Sequence, residues 1–181
     1  MSSHLGVYQD FPKVTHFTRH LSVKIPISDF KRVLVKALSN LNQFNDKFET
    51  SSTGREGSIT VDRTFEVGVA ENLYFNYLDS KETKRLLKAV KKKVNTLDFM
   101  VMVHYRYMGS TGKKSALRLD QYLLRFGFLR PLVTICQVRG LQRTLPEDLL
   151  QMIIEGTKKA LKREAKGEKI NTTDAVGIIR V

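Results

Sequence analysis

The chain has 181 residues, 41% of them hydrophobic, and carries 31 Lys and Arg against 18 Asp and Glu, a formal charge of +13 at neutral pH. That length and apolar content fit one domain with a genuine core, and no segment reaches the roughly 18 apolar residues a membrane span requires. The cation surplus repels itself unless an anion sits nearby, so nucleic acid or an anionic membrane surface is the expected macromolecular partner, against the plainer reading of charge that only keeps the protein soluble.

The opening stretch MSSHLGVYQDFPK has an acid and a proline where a secretory leader needs an unbroken apolar run, so residues 1–13 read as an N-terminal extension of an intracellular, cytoplasmic protein. From Val14 to Ile25, Phe17, Leu21, Val23 and Ile25 alternate with His16, Thr18, His20, Ser22 and Lys24, the pattern of a half-buried strand. Pro26 ends it, Ser28 is a candidate cap, and Phe30, Val33, Leu34, Ala37, Leu38 and Leu41 recur at helical spacing. The segments FETS and ITVDRTFEV around STGREGS predict a hairpin, and LYFNYL (Leu73 to Leu78) adds a strand. Asp79-Ser80-Lys81-Glu82 has the form of a capping box, which opens a helix over Ser80 to Val94. From Leu97 to Tyr107 alternation is strongest, with Phe99, Val101, Val103, Tyr105 and Tyr107 opposite Asp98, Met100, Met102, His104 and Arg106.

GSTGKKS, residues 109 to 115, raises a nucleotide-loop question that spacing answers. A Walker loop needs four residues between its first Gly and the Gly-Lys-Ser/Thr, so that backbone N–H groups surround the phosphates and the hydroxyl meets magnesium. Only two residues separate Gly109 from Gly112, and Lys114 stands where Ser or Thr is required. The segment is therefore predicted to be a turn, like Ser52-Thr53-Gly54-Arg55, with Lys113 and Lys114 at its tip as candidate phosphate or headgroup contacts. Ala116, Leu119, Leu123 and Phe126 would suit a helix, but a turn before them tips Ser115 to Phe128 toward strand. LVTICQVRG reads as the last strand, and its Cys136, the only cysteine, as a buried thiol in a reducing compartment. Thr144 and Glu147 form a second capping box before a helix through Leu150, Ile153, Ile154, Thr157, Ala160 and Leu161. Residues 14–169 thus read as a single α+β domain and 170–181 as a C-terminal tail; Asn171-Thr172-Thr173 matches a glycosylation acceptor only in form.

No cofactor or metal signature is legible. His16 and His20 are four apart in a strand, roughly 13 Å, too far to share an ion. His104 is the one candidate acid or base, and no HExxH, CxxC, hydrolase elbow or carboxylate pair accompanies it, so a binding protein is expected before an enzyme.

The charge is concentrated. Lys81, Lys84, Arg85, Lys88, Lys91, Lys92 and Lys93 face only Asp79 and Glu82, and Lys158, Lys159, Lys162, Arg163, Lys166 and Lys169 face only Glu164 and Glu168. Both segments are amphipathic, which turns the cations outward; Lys84, Arg85, Lys88, Lys91, Lys92, Lys158, Lys159 and Lys162 join Lys113 and Lys114 as candidate anion-binding residues.

The order of elements resembles the helix-grip arrangement of START and Bet v1-like proteins, on two stretches: LSVKIPISDFKRVLVKAL, a strand turning at Pro26 into a helix, and the closing helix LPEDLLQMIIEGTKKALKREAKG. The helix over Ser80 to Val94 would be an insertion in that pattern. The resemblance implies a curved antiparallel sheet gripping a long C-terminal helix, and a hydrophobic small molecule or lipid enclosed between them by Phe65, Phe99, Val101, Tyr105, Ile153 and Thr157. The bland role of these six is core packing. The alternative fold is a ferredoxin-like βαββαβ core with additions, and the alternative function is nucleic-acid binding through the phosphate backbone.

Overall fold

The computed structural model describes residues 8, 11–12, 17–51, 58–71, 74–109, 111–167 and 179–180. Among them the chain runs β1 (Phe17–His20), β2 (Ser22–Val23), α1 (Ile27–Leu41), β3 (Asn45–Ser51), β4 (Ser58–Glu71), β5 (Tyr74–Tyr77), α2 (Ser80–Ala89), β6 (Thr96–Met108), β7 (Arg118–Gly127), β8 (Leu132–Arg139), α3 (Pro146–Gly167) and β9 (Ile179–Arg180). The main sheet is antiparallel in the order β1-β8-β7-β6-β4-β3, with β5 on the same edge of β4 as β3. The first strand therefore lies beside the last, and α3 returns onto the sheet as the closing element. This is an α+β fold with a curved antiparallel sheet and a C-terminal helix packed on it, the helix-grip-like arrangement. It departs from a βαββαβ core because β6, β7 and β8 follow one another with no helix between them.

Curvature follows from strand length and twist. β4 and β6 pair over ten residues, Thr60↔Met108 to Val69↔Phe99, long enough for the right-handed twist to accumulate, and the register shift at Gln121/Tyr122 adds a local bend. The inner face carries Phe65, Val67 and Val69 of β4, Phe99, Val101, Val103 and Tyr105 of β6, Leu124 and Phe126 of β7, all buried against Phe30, Leu34 and Leu38 of α1 and Leu149, Leu150, Ile153 and Ile154 of α3. Alternation in the sequence thus reports the face correctly.

The helices differ in detail from their sequence signals. α1 begins at Ile27, one residue before Ser28, with Pro26 as an extended N-cap and no side-chain cap. At its other end the Asn42 side chain bridges the gap between β3 and β5 along β4, its Oδ1 accepting the Val67 N–H at 2.9 Å while its Nδ2 donates to Leu78 O at 3.3 Å. Asp79 caps α2 as expected, accepting the Glu82 N–H at 2.7 Å, but that helix stops at Ala89 instead of Val94. The buried Lys31 donates to Val94 O and lies over the Phe128 ring, tying down the turn after α2; burial lowers its pKa. The predicted capping box at α3 is not formed. Thr144 is drawn into the core instead, and Pro146 opens the helix, where its missing N–H costs nothing.

The predicted first strand is split at Leu21, whose N–H donates to Pro131 O. His16, Ser52 to Arg55 and Asn171 to Thr173 lie outside the described residues. Ser115 to Phe128 contains a strand, and the 109–115 connection is a turn closed by Gly112 N–H to Gly109 O, with Gly112 at φ +75°. Within the expected tail, Ile179–Arg180 pairs antiparallel with Ser22–Val23. At the other terminus, Tyr8 N–H donates to Asp98 on the outer sheet face, and Arg125 reaches both Asp98 and Tyr8 O. No helix among the described residues is long and apolar enough to cross a membrane.

Candidate functional site

The six residues expected around an enclosed ligand lie in the buried core. Phe65, Phe99, Val101, Tyr105, Ile153 and Thr157 are all buried. Phe99 meets Phe126 edge-on at 6.0 Å, Tyr105 bonds Thr144, and the Thr157 hydroxyl donates to Ile153 O of its own helix at 2.7 Å. Their polar atoms are thus satisfied by protein groups, which is what burial without a ligand demands.

Beside them lies a buried polar cluster that sequence reasoning missed. Asp120 on β7 is fully buried and accepts three bonds from the loop before α3: Leu141 N–H at 2.9 Å, Arg143 N–H at 2.6 Å and Arg143 Nη1 at 2.5 Å. Thr144 follows, held by Tyr105, by Arg63 Nη1 at 3.1 Å and, through its carbonyl, by the Tyr122 hydroxyl at 2.5 Å. Burial pushes the Tyr105 hydroxyl up to about 12 and the Tyr122 hydroxyl higher still, so neither exchanges a proton near neutrality. The cluster fixes how the chain enters α3; an acid within the apolar run LDQYLLRF was its only sequence signal.

His104 sits on the opposite, outer face, its Nε2 2.9 Å from Glu66 Oε2 and its Nδ1 buried without a partner among the described residues. It lines none of the surface concavities of the helical layer. Cys136 is buried and its thiol pKa is raised by burial. Among the described residues no group of three or more His, Cys, Asp or Glu side chains is placed to hold a metal ion.

The helical layer is where unanswered charge accumulates. α1 lies between α2 and α3, and four acids of this layer are occupied, Glu164 by Arg32 and Lys36, Glu82 by Arg85, Glu155 by Lys158 and Asp29 by Arg32, while the exposed Glu147 and Asp148 of the first turn of α3 stand outside these ion pairs. Arg85 and Lys158 are therefore engaged, Arg85 also with Glu71 at 3.2 Å. Lys81, Lys84, Lys88, Lys91, Lys92, Lys93, Lys159, Lys162 and Arg163 are exposed and have no acidic partner among the described residues. Lys113 and Lys114 are exposed too, but at the other end of β6 from α2, thirteen residues or roughly 40 Å away.

Three concavities mark the layer. One of about 670 Å³ is lined by Lys81, Lys84, Arg85, Lys88 and Lys92 with Ser80 and Ala89 of α2. A groove of about 570 Å³ runs between α1 and α3 past Phe44, Met152 and Gly156. A third, of about 470 Å³, joins all three helices and shares Asn40 and Arg163 with the second. Phe44, Asn40 and Gln151 were not among the residues singled out from sequence; the turn after α1 and the facing side of α3 bring them together with Arg163, one of the cations read from the closing helix. Comparison with protein-family models, curated proteins and solved structures found no match.

Proposed function

We propose that the protein binds nucleic acid, holding the phosphate backbone on the outward cations of α2, of the turn that follows it and of α3. The observation that carries this reading is the set of nine exposed cations with no acidic partner among the described residues, on a layer where Glu82, Glu155 and Glu164 are already paired with other cations. Such charge is stabilised by releasing the counterions condensed on a polyphosphate. An enclosed hydrophobic ligand is less well supported, because Phe65, Phe99, Val101, Tyr105 and Ile153 belong to the protein's own buried core cluster. An anionic bilayer is also less well supported: the exposed positions of α2 are Ser80, Lys81, Lys84, Arg85 and Lys88, without the apolar face that an interfacial helix buries in lipid.

The test is fluorescence anisotropy with labelled DNA and RNA over a salt series. Affinity falls steeply with salt, and K84E/K88E/K92E, which removes three cations, lowers the magnitude of the log–log slope by about 2 to 3. Absence of binding at low salt, or an unchanged slope in the triple variant, refutes the reading.

A further inference from the structure

We propose, resting on the nucleic-acid reading above, that the groove between α1 and α3 seats an unpaired nucleobase, so that the partner is single-stranded. The groove brings together the kinds of group a nucleotide requires. Phe44 leaves 42% of its surface exposed, while its ring is braced against Phe65 at a centroid distance of 6.1 Å; a fixed, open aromatic ring is a stacking platform. Asn40 and Gln151 add side-chain amides, the chemistry that reads a base edge, and the Gln151 amide nitrogen is held by Glu155 at 3.1 Å, which leaves its carbonyl oxygen as acceptor. Lys159 and Arg163 add two cations for the phosphate. A purely hydrocarbon ligand would desolvate those amides and cations without compensation.

Backbone geometry opens the site. At Gly156 an added Cβ would lie 3.4 Å from the Ala37 Cβ, so the two helices approach closely there and their larger neighbours stand up as walls. The volume of about 570 Å³ is in the range of small-ligand pockets. Asn40 and Arg163 also border the adjoining groove, where Thr83 and Leu87 of α2 stand next in sequence to Lys84 and Lys88. A base stacked inside a duplex cannot enter the groove, whereas an unpaired one can reach Phe44.

The experiment measures binding of the full chain to labelled oligouridylate, oligoadenylate and a blunt duplex, each about twenty nucleotides long so that it exceeds one such site. Phe44→Ala is expected to weaken single-strand binding about tenfold, the order of one lost stacking contact, and to leave duplex binding unchanged. Phe44→Trp retains single-strand affinity, and Asn40→Asp, at an exposed position, lowers it; both keep the test decisive if Phe44→Ala unfolds, which circular dichroism reports. Equal affinity for single strand and duplex, or a Phe44→Ala effect that is nil or the same on both, overturns the base seat while leaving backbone binding intact. Failure of every oligonucleotide to bind overturns both.

Discussion

Asp120→Asn isolates what the buried polar cluster contributes. The substitution keeps the shape of the side chain but removes its charge and turns one acceptor oxygen into a donor, so Leu141 N–H or Arg143 N–H then faces an NH₂ group and the Arg143 guanidinium loses its counter-charge. Breaking a buried ion pair from one side costs about 3–5 kcal/mol. Arg143 keeps a partial route to water, with 19% of its side chain exposed, which places the expected loss near the lower end, about 3 kcal/mol. For a domain of this size that corresponds to a fall in Tm of roughly 6–12 °C. The protein contains no tryptophan, so urea and thermal unfolding are followed by far-UV circular dichroism. Hydrogen exchange adds the local readout: the Leu141 and Arg143 amides should lose protection first. A loss below about 1 kcal/mol with those amides still protected would refute the assignment of Asp120 as the anchor of the α3 entry loop.

Gly140→Ala should destabilise the same loop by more than about 2 kcal/mol, since Gly140 has φ +100° and a Cβ there would lie 2.1 Å from Asp120 Oδ1 and 2.6 Å from Leu119 O; denaturant titration checks it. Tyr105→Phe should cost about 1 kcal/mol at neutral pH through the lost Thr144 bond. Because the folded pKa of Tyr105 is raised to about 12 from 10.0, its contribution is complete below pH 10.0 and is lost as pH climbs toward 12, so unfolding across that window should be less pH-dependent in the variant. Burial pushes the Glu164 carboxyl up, but hydrogen bonds and charge from Arg32 and Lys36 outweigh it and hold its pKa below the usual value. The stability it adds is present above the ordinary carboxylate value and fades as pH falls through the folded one. Glu164→Gln should remove no more than about 1 kcal/mol near neutrality, given its half-exposed partners, and flatten that acid limb in a pH-resolved melt.

What the sequence by itself determined was local. Period-two alternation over Phe99 to Tyr107 assigns each side chain of β6 to a face before any partner strand is known, and helical spacing from Phe30 to Leu41 does the same for α1, because burial on one side is a property of a segment and its own geometry. The cations of α2 were equally legible, since an amphipathic helix turns its polar side outward wherever it packs. Tertiary structure decided which distant groups meet. Thr144 carried a capping signature but became the acceptor of a core cluster, because Asp120, Tyr105, Tyr122 and Arg63, from three strands, already line the space it enters. The crossing of α1 and α3 at Ala37 and Gly156 placed Phe44 and Asn40 beside Gln151 and Arg163, more than a hundred residues apart in sequence. No periodicity encodes that meeting; it depends on helix packing and on where the sheet carries each helix, and both exist only once the chain has folded.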